Sequence, residues 1–246
     1  LSAVSRPLIC DWFRGSEAVE WKPDASPVTR ADKAAETALR AAIEARFPDD
    51  AILGEEHAAR PGSGKIGYSW VIDPIDGTRA FVCGRPVFGT LVGLVDGTTP
   101  VAGLIDMPML DECYVGVGGK TVLNGAAATT SQVTSLARAR IASTAPEALL
   151  PDSLAAFNRM VDQAAITVYG GDCHNYALLA AGHLDLVLED GLATHDIMGV
   201  FEVVRGAGGI ITDKQGAPVS LDGTRSLLAA ATPALHAEAL RIVKAV

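Results

Sequence analysis

The order of apolar and polar residues along the chain predicts a mixture of helices and strands. Apolar residues recur at spacings of three and four in several segments, which is typical of amphipathic helices. These predicted helices cover residues 4–20, 29–47, 149–163, 175–181, 196–205 and 233–246. Short apolar runs bounded by turn-forming residues predict strands at 51–54, 68–72, 87–95, 101–105, 113–117, 166–169, 184–188 and 227–231. Loops rich in proline or glycine are expected at 22–27 and 60–67.

Helices and strands occur in both halves of the chain, which predicts layered α and β structure. Turn residues break up segment 87–123, so its strands should form an antiparallel meander. The chain has 246 residues, enough for one large domain or two closely packed subdomains. It contains no repeat and no linker. We therefore expect one unit with an α+β half at 1–141 and an α/β half at 142–246, meeting near Ala142.

Composition and charge narrow the classes of function. Hydrophobic residues make up 49% of the chain and charged residues 20%, which is a globular composition. The net charge of −9 disfavours nucleic acid as a partner, because an acidic surface repels phosphate backbones. The same charge attracts divalent cations. No apolar run reaches membrane length and no signal peptide opens the chain, so we expect a cytoplasmic protein without a membrane partner.

The four cysteines are widely separated: Cys10, Cys83, Cys113 and Cys173. They form no CxxC pair, so we expect free thiols in a reducing compartment and no zinc site.

The strongest chemical signal is the segment 70–78, in which an apolar run leads into Asp73 and Asp76. Two carboxylates at the tip of a buried strand can hold a hard cation, although Asp and Pro are also common in plain turns. The spacing excludes an EF-hand loop and the Asp-x-Asp of aspartyl-phosphate phosphatases, and no Walker A sequence is present. If a short helix begins at Gly77–Thr78, its free N–H groups could bind phosphate, or Thr78 could simply cap it.

Other acidic residues strengthen this signal only if folding brings them together. Glu55 and Glu56 follow a predicted strand, yet solvated loop charge explains such a pair equally well. Asp32 fits a capping box that starts at Thr29, and Asp196 could be the N-cap of its helix. Together, these separated acids predict one metal site assembled by the fold.

Four motifs in this order resemble the inositol monophosphatase superfamily of magnesium-dependent, lithium-sensitive phosphatases. They are Val28-Thr29-x-x-Asp32-x-x-x-Glu36, Gly54-Glu55-Glu56, Asp73-Pro74-Ile75-Asp76-Gly77-Thr78, and Asp196 a short helix before Gly208-Gly209. The resemblance runs from about residue 24 to residue 231. It implies a layered αβαβα sandwich of the inositol monophosphatase/fructose-1,6-bisphosphatase type. It also implies a homodimer, since relatives are often homodimers. Millimolar Li⁺ should inhibit the phosphatase activity.

The resemblance also implies two or three Mg²⁺ ions and their ligands. Glu55, Asp73 and the carbonyl of Ile75 would hold one ion. Asp73, Asp76 and Asp196 would hold a second, and a looser third would lie beside Glu55. Two such ions can activate a water and stabilise a leaving alkoxide.

The remaining catalytic parts are implied in the same way. Asp32 would bond to Thr78, and Thr78 with Glu55 would orient the attacking water. The amides of Gly77 and Thr78 would hold the phosphate oxygens during in-line transfer.

Specificity should come from the second half, where the resemblance assigns the pocket to Gly170, Gly171, Asp172 and Glu189. Inositol-type members usually have a small Ser/Thr-Ala pair where this chain has Gly171-Asp172. Two carboxylates suit the ammonium and imidazole of histidinol phosphate better than neutral inositol. Segment 169–176 looks like the bacterial histidinol-phosphatase branch. A helix N-cap is the alternative for Asp172.

Two departures from the family pattern concern pocket shape. His195 replaces the usual Trp before the metal-binding Asp, and Gly206 replaces the usual Glu before Ala-Gly-Gly. The leading prediction is a histidinol-phosphate phosphatase acting in histidine biosynthesis, and an inositol-1-phosphate phosphatase is the alternative. Substrates with a second phosphate are disfavoured because we find no basic cluster. A regulatory binding protein that retains the fold is the non-enzymatic alternative.

Overall fold

Two mixed β-sheets separated and flanked by helices form the framework of the protein in the computed structural model. The structure describes residues 1–15, 19–22, 27–63, 67–223 and 225–246. Parts of the two predicted loops, 23–26 and 64–66, lie outside the described residues, as do residues 16–18 within the predicted first helix.

The helices of the described chain come first. They are Ser2–Trp12 (α1), Arg30–Arg46 (α2), Thr78–Val82 (α3), Pro151–Val161 (α4), Cys173–Ala180 (α5), Thr194–Gly206 (α6) and Pro233–Val243 (α7). Short 3₁₀ turns lie at Leu136–Arg138 and Pro146–Ala148. Among the described residues, no helix has both the length and the apolar character required to cross a bilayer.

The strands form three sheets. They are Glu20–Trp21 (β1), Pro27–Val28 (β2), Ala51–Gly54 (β3), Ser69–Asp76 (β4), Gly89–Asp96 (β5), Thr99–Met107 (β6), Glu112–Val117 (β7), Lys120–Leu123 (β8), Ala126–Ala128 (β9), Arg140–Ser143 (β10), Ile166–Tyr169 (β11), Leu186–Glu189 (β12), Ile210–Thr212 (β13) and Leu227–Ala230 (β14). One sheet has the order β3-β4-β5-β6-β7-β8-β9, the second has β11-β10-β12-β14-β13, and β1 pairs with β2.

The helices complete a five-layer arrangement, which confirms the predicted αβαβα sandwich. Helices α1 and α2 pack together, with α2 over β4 on one side of the seven-stranded sheet. Helices α5 and α6 lie between the two sheets, and α4 and α7 pack together beyond the five-stranded sheet. The largest apolar cluster joins Leu91 of the first sheet, Met198 of α6 and Ala229 of the second sheet.

Helix α2 shows why the local prediction at 29–47 is confirmed. Ala31, Ala35, Leu39 and Ile43 recur every four residues and are all buried, so one face of the helix covers the sheet. The Thr29 hydroxyl accepts a hydrogen bond from the backbone of the first turn, which satisfies an amide that would otherwise lack a partner.

A row of glycines lets α6 contact the backbone of the seven-stranded sheet. Gly93 pairs with Gly103, and Gly103 pairs with Gly116, across strands β5, β6 and β7. A Cβ atom on any of the three would come closer than 3.0 Å to atoms of Met198, Gly199 or Glu202 of α6. Because larger side chains would push the helix away, this glycine row fixes the height of α6 above the sheet.

Three local predictions need correction. The predicted helix at 4–20 is wrong beyond Trp12: Arg14 adopts a left-handed φ of 61°, and Glu20–Trp21 forms a strand. The apolar run at 68–72 continues as strand through Asp76. Besides β1, the sequence pattern missed five short strands, β2, β8, β9, β10 and β13. Ala142, where the two halves were expected to meet, lies within β10.

Candidate active site

Asp73 and Asp76 belong to strand β4 itself rather than to a turn after it. The pairing of β4 with β5 is irregular between Asp73 and Asp76, where Pro74 interrupts the ladder because it has no N–H. The Asp73 carboxylate accepts a hydrogen bond of 3.0 Å from the backbone N–H of Ile75. This local irregularity turns both aspartates toward the same edge of the sheet.

Glu55 joins them because β3 and β4 are parallel neighbours, with Gly54 opposite Ile72. Its backbone N–H donates to the carbonyl of Ile72 at 3.2 Å. The carboxyl ends of the two strands therefore lie side by side.

Asp196 reaches the same point from helix α6, where it lies at the third helical position rather than at the N-cap. Its carboxylate accepts a 2.7 Å hydrogen bond from the N–H of Ala193. The expectation of an N-cap at Asp196 is therefore wrong, although its carboxylate does satisfy an amide at the helix start.

Two groups of ligand atoms result from this convergence. In each group, all three atoms lie within 4.8 Å of one another: Glu55, Asp73 and His195 form one, and Asp73, Asp76 and Asp196 form the other. Sequence and fold thus bring together the acids predicted to form one site.

The electrostatics of these groups fit a divalent cation. Burial raises the pKa of Asp73 well above its ordinary value, and the charges of Glu55, Asp76 and Asp196 raise it further. Burial likewise raises the pKa of Asp76, with Asp172 and Asp196 adding to the effect. Carboxylates crowded in this way repel one another, and hard cations such as Mg²⁺ take oxygen ligands of this kind. The residues present are therefore suited to hold such an ion.

Lys22 also contacts this acidic group. Its ammonium lies 2.6 Å from a carboxylate oxygen of Glu55 and 2.7 Å from one of Glu56. Glu56 is thus paired with a lysine rather than left as solvated loop charge. Nothing in the spacing of the sequence indicated Lys22, since the loop before it gives no periodic signal.

Asp32 performs two tasks at once. It accepts hydrogen bonds from the backbone N–H of Thr29 at 2.8 Å and from the Thr29 hydroxyl at 2.6 Å, so the capping box is present. Its other oxygen lies 3.4 Å from the hydroxyl of Thr78, which also donates to the carbonyl of Ile75 at 3.0 Å. Burial raises the pKa of Asp32.

Helix α3 begins directly after the two aspartates. Gly77 is the N-cap, with a φ of 86° that favours glycine, and Thr78 is the first helical residue. The expectation that Thr78 caps the helix is therefore wrong, and its hydroxyl is directed to Asp32 and Ile75 instead.

A cavity of about 450 Å³ opens beside these groups. It is lined by residues of both halves, among them Glu55, Thr78, Gly170, Asp172, Glu189 and Asp196. Three carboxylates assigned to metal, Glu55, Asp76 and Asp196, therefore share one cavity with the carboxylates assigned to substrate.

Asp172 occupies the N-cap position of α5, yet its side chain makes no capping hydrogen bond. It lies against Gly77 instead, since a Cβ atom on that glycine would be 3.1 Å from a carboxylate oxygen of Asp172. Burial raises the pKa of Asp172 to about 6 and Asp196 adds to the shift, whereas Arg79 and Arg85 oppose it.

Glu189 is held by neighbours in the cavity wall. One carboxylate oxygen accepts hydrogen bonds from the backbone N–H and the hydroxyl of Thr144, and the other accepts from the Tyr176 hydroxyl at 2.8 Å. The Thr144 oxygen in turn accepts a 3.0 Å bond from the N–H of Asp172. Burial raises the pKa of Glu189 to about 7.

Gly170 and Gly171 shape the turn before Asp172. Both have positive φ, at 83° and 119°. A Cβ atom on Gly171 would lie 2.5 Å from a side-chain oxygen of Asn175, and one on Gly170 would lie 3.0 Å from the Arg85 guanidinium. The close approach of Arg85 and Asn175 thus favours glycine at both positions.

Arg79 and Arg85 are exposed residues of the cavity wall that sequence reasoning missed. Two arginines therefore line a cavity for which the sequence indicated no basic cluster for a second phosphate. Their positions one and seven residues after Thr78 were the available signal, because a short helix begins at that threonine.

Comparison with known proteins identifies this arrangement. The inositol monophosphatase family matches residues 7–246. The chain is 42% identical over 217 residues to the chloroplastic bifunctional phosphatase IMPL2 of Arabidopsis thaliana, covering 88% of this chain and 63% of that relative. It is 36% identical to a histidinol-phosphatase of Chlorobaculum parvum, covering 91% of this chain and 86% of the relative.

Solved structures agree with the sequence relatives. An inositol monophosphatase from Zymomonas mobilis superimposes with a TM-score of 0.88 at 38% identity, covering 99% of this chain and 94% of the other. The chain belongs to the inositol monophosphatase family. It is a phosphoric monoester hydrolase of that family, and members of this kind act on small phosphate monoesters.

The two departures from the usual family pattern lie in different places. His195 belongs to the acidic group with Glu55 and Asp73. Gly206 lies at the far end of α6, where a Cβ atom would be 2.6 Å from the Thr121 hydroxyl and 2.7 Å from Lys120. A glutamate does not fit there without displacing the strand, so this departure concerns packing and not the cavity.

All four cysteines of the chain are free, as predicted. Cys173 is buried at the start of α5, and Cys83 is exposed at the rim of the cavity.

Proposed function

We propose that this phosphatase hydrolyses histidinol phosphate with the help of two or three Mg²⁺ ions. The observation that carries the proposal is the position of Asp172, which lies in the cavity with no capping bond of its own. An uncommitted carboxylate beside the phosphate position suits a substrate with a cationic end. Relatives named histidinol-phosphatase, at 32–36% identity, support this choice.

The acidic groups are proposed to hold the metal ions. Asp73, Asp76 and Asp196 would supply oxygens to one ion, and Glu55, Asp73 and the Ile75 carbonyl to another. Mg²⁺ ions bound there would lower the pKa of a water and stabilise charge on the leaving oxygen. The chain contributes the fixed spacing of its carboxylates, which the parallel strands and α6 establish.

Other residues would orient the reacting groups. The Asp32 carboxylate lies within hydrogen-bonding distance of the Thr78 hydroxyl. That hydroxyl, together with Glu55, is proposed to orient the attacking water. The amides of Gly77 and Thr78 are proposed to hold phosphate oxygens, since amide donors aimed at developing charge stabilise it.

The substrate end would be bound by Asp172 and supported by Glu189. Because Thr144 connects the Glu189 carboxylate to the Asp172 N–H, we propose that Glu189 mainly positions this turn. An ammonium or imidazolium placed here would form charge-assisted hydrogen bonds with Asp172.

The test compares phosphate release from L-histidinol phosphate and inositol 1-phosphate by kcat/KM in the wild type and in Asp172→Asn. We expect histidinol phosphate to be preferred, and the variant to lose about tenfold or more on it while changing little on inositol 1-phosphate, whose alcohol part is uncharged. Glu147→Gln, which removes an exposed carboxylate of the same wall, is the matched control. A wild-type preference for inositol phosphate would contradict the proposal and favour the alternative phosphatase.

Arg79 and Arg85 favour a second candidate, a substrate with a second anionic group. One relative at 30% identity is named fructose-1,6-bisphosphatase/inositol-1-monophosphatase. A sugar bisphosphate therefore belongs in the substrate panel, with Arg85→Gln as the diagnostic variant. Higher kcat/KM on the bisphosphate, lost in Arg85→Gln, would select this candidate.

A regulatory binding role is the non-enzymatic alternative. Asp73→Asn should abolish phosphate release, whereas a role in binding alone would survive this substitution.

A further inference from the structure

His195 carries a nitrogen donor into the acidic group beside β4. It is the second residue of α6, directly before Asp196, and its side chain is 24% exposed. Its Nε2 atom lies 3.8 Å from Glu55 Oε2 and 3.6 Å from Asp196 Oδ1. With Glu55 and Asp73 it forms a group whose ligand atoms all lie within 4.8 Å of one another.

These separations match the spacing of donor atoms around one metal ion. With bonds of about 2.1 Å, donors on a tetrahedral ion are about 3.4 Å apart, and opposite donors on an octahedral ion about 4.2 Å apart. The 3.8 Å distance from Nε2 to Glu55 Oε2 is within this span, so one ion could bind both the imidazole and the Glu55 carboxylate with small side-chain rotations.

Lys22 leaves this approach open. Its ammonium contacts Glu55 Oε1 at 2.6 Å, whereas the imidazole faces the other oxygen, Oε2. The Lys22 ammonium and the His195 imidazole therefore face different oxygens of the Glu55 carboxylate.

We propose that His195 is an additional, direct nitrogen ligand of the ion held by Glu55 and Asp73, so that this position binds Mn²⁺, Co²⁺ or Zn²⁺ more tightly than Mg²⁺, although Mg²⁺ can still occupy it. The proposal rests on the metal-dependent function proposed above. An imidazole nitrogen suits first-row transition metals, whereas Mg²⁺ prefers an all-oxygen set. The group of Asp73, Asp76 and Asp196 has only oxygen donors and would remain suited to Mg²⁺.

The decisive experiment detects the metal–nitrogen bond without relying on turnover. The full chain, freed of metal and loaded with Mn²⁺, is studied by pulsed electron paramagnetic resonance with natural and ¹⁵N-histidine labelling. We expect a nitrogen coupling that changes with the isotope. Its absence in the wild-type protein would overturn the proposal even if no variant could be prepared.

Variants then assign the nitrogen to one residue. His195→Gln should lose the coupling, while His183→Gln, an exposed histidine outside the cavity wall, should keep it. Mn²⁺ affinity measured by calorimetry should fall in His195→Gln by about tenfold to a hundredfold, at least the loss seen for outer-sphere partners. Mg²⁺ affinity should change by much less. An equal loss of both metals, or a coupling retained in His195→Gln, would refute the assignment.

The result is separable from the proposed function. A histidine coupling together with no phosphate release from any tested ester would support ligation by His195 and contradict the proposed phosphatase function. Phosphate release without the coupling would do the reverse.

Discussion

The hydroxyl of Thr78 lies 3.4 Å from a carboxylate oxygen of Asp32, although the two residues are 46 positions apart in the chain. The same carboxylate caps helix α2 through Thr29. Helix α2, which belongs to the first layer, is thus connected through Asp32 to the start of α3 at the cavity.

Replacing Thr78 by Val should separate catalysis from folding. Valine keeps the shape but removes the hydroxyl proposed to orient water, so kcat should fall by about a hundredfold or more with little change in melting temperature. Thr78→Ser restores the hydroxyl and is the matched control, which should recover most of the activity. Steady-state kinetics and thermal unfolding check both expectations. Full activity in the valine variant would exclude a role for this hydroxyl.

Asp73→Asn should abolish activity and yet stabilise the metal-free protein. The substitution removes a buried charge that Glu55, Asp76 and Asp196 oppose, while the amide oxygen can still accept the bond from Ile75. We expect a loss of about a hundredfold or more in kcat and a free energy of unfolding in EDTA higher by on the order of 1 kcal/mol. Denaturant titration with and without Mg²⁺ measures both states.

Asp96→Asn, on an exposed residue at the end of β5, is the control for Asp73→Asn. It should leave activity and unfolding unchanged. A metal-free Asp73→Asn protein less stable than wild type would show that carboxylate crowding is not what limits stability here.

Glu189 should make stability depend on pH in a defined direction. Burial raises its pKa in the folded protein to about 7 from an ordinary value near 4.5, so the folded state favours the protonated form. The stabilisation is complete below the unfolded pKa and is lost as pH rises through about 7. Glu189→Gln should therefore remove this loss, and its stability relative to wild type should rise between pH 5 and pH 8 by about 1–3 kcal/mol.

Thermal unfolding of Glu189→Gln and wild type at several pH values provides the measurement. Glu147→Gln, an exposed carboxylate of the same cavity wall, is the control and should leave the pH profile unchanged. A constant difference between Glu189→Gln and wild type from pH 5 to 8 would count against titration of Glu189.

Gly103→Ala should disturb the metal site from a distance. The added methyl group would meet the carbonyl oxygen of Gly199, which belongs to helix backbone and cannot rotate away. We expect a loss of about 1–3 kcal/mol in the free energy of unfolding, together with weaker metal binding because α6 carries Asp196. Thr99→Ala, at an exposed position of the same strand, should change neither. If Gly103→Ala lost stability but kept its metal affinity, the glycine row would have no influence on the metal site.

Much of the site could be predicted because its signals are local. Asp73 and Asp76 end an apolar run, and Glu55 ends the neighbouring one, so parallel strands place them together. Apolar residues at spacings of three and four located α2, and short apolar runs between turn residues located the meander, because these signals are local as well. The resemblance then supplied the fold, which spacing alone did not determine.

What the sequence did not reveal depends on contacts between distant segments. Lys22 reaches Glu55 across 33 positions, and no pattern around it indicates a partner. Thr144, which connects Glu189 to Asp172, lies beside a strand that the pattern missed. The glycines of the row are 10 and 13 positions apart, and only strand register aligns them. The end of α1 was misjudged because Arg14 adopts a left-handed conformation open to few residues.

The glycine row also bears on which substitutions this chain can accumulate. Because α6 rests on backbone atoms at three successive strands, we expect the distance from Asp196 to Asp73 to depend little on the size of neighbouring core side chains. Aliphatic residues elsewhere between the sheets can therefore be exchanged with a cost in stability but without moving the carboxylates. Selection for activity should act on three residues that have no side chain at all, far more strictly than on the apolar residues around them.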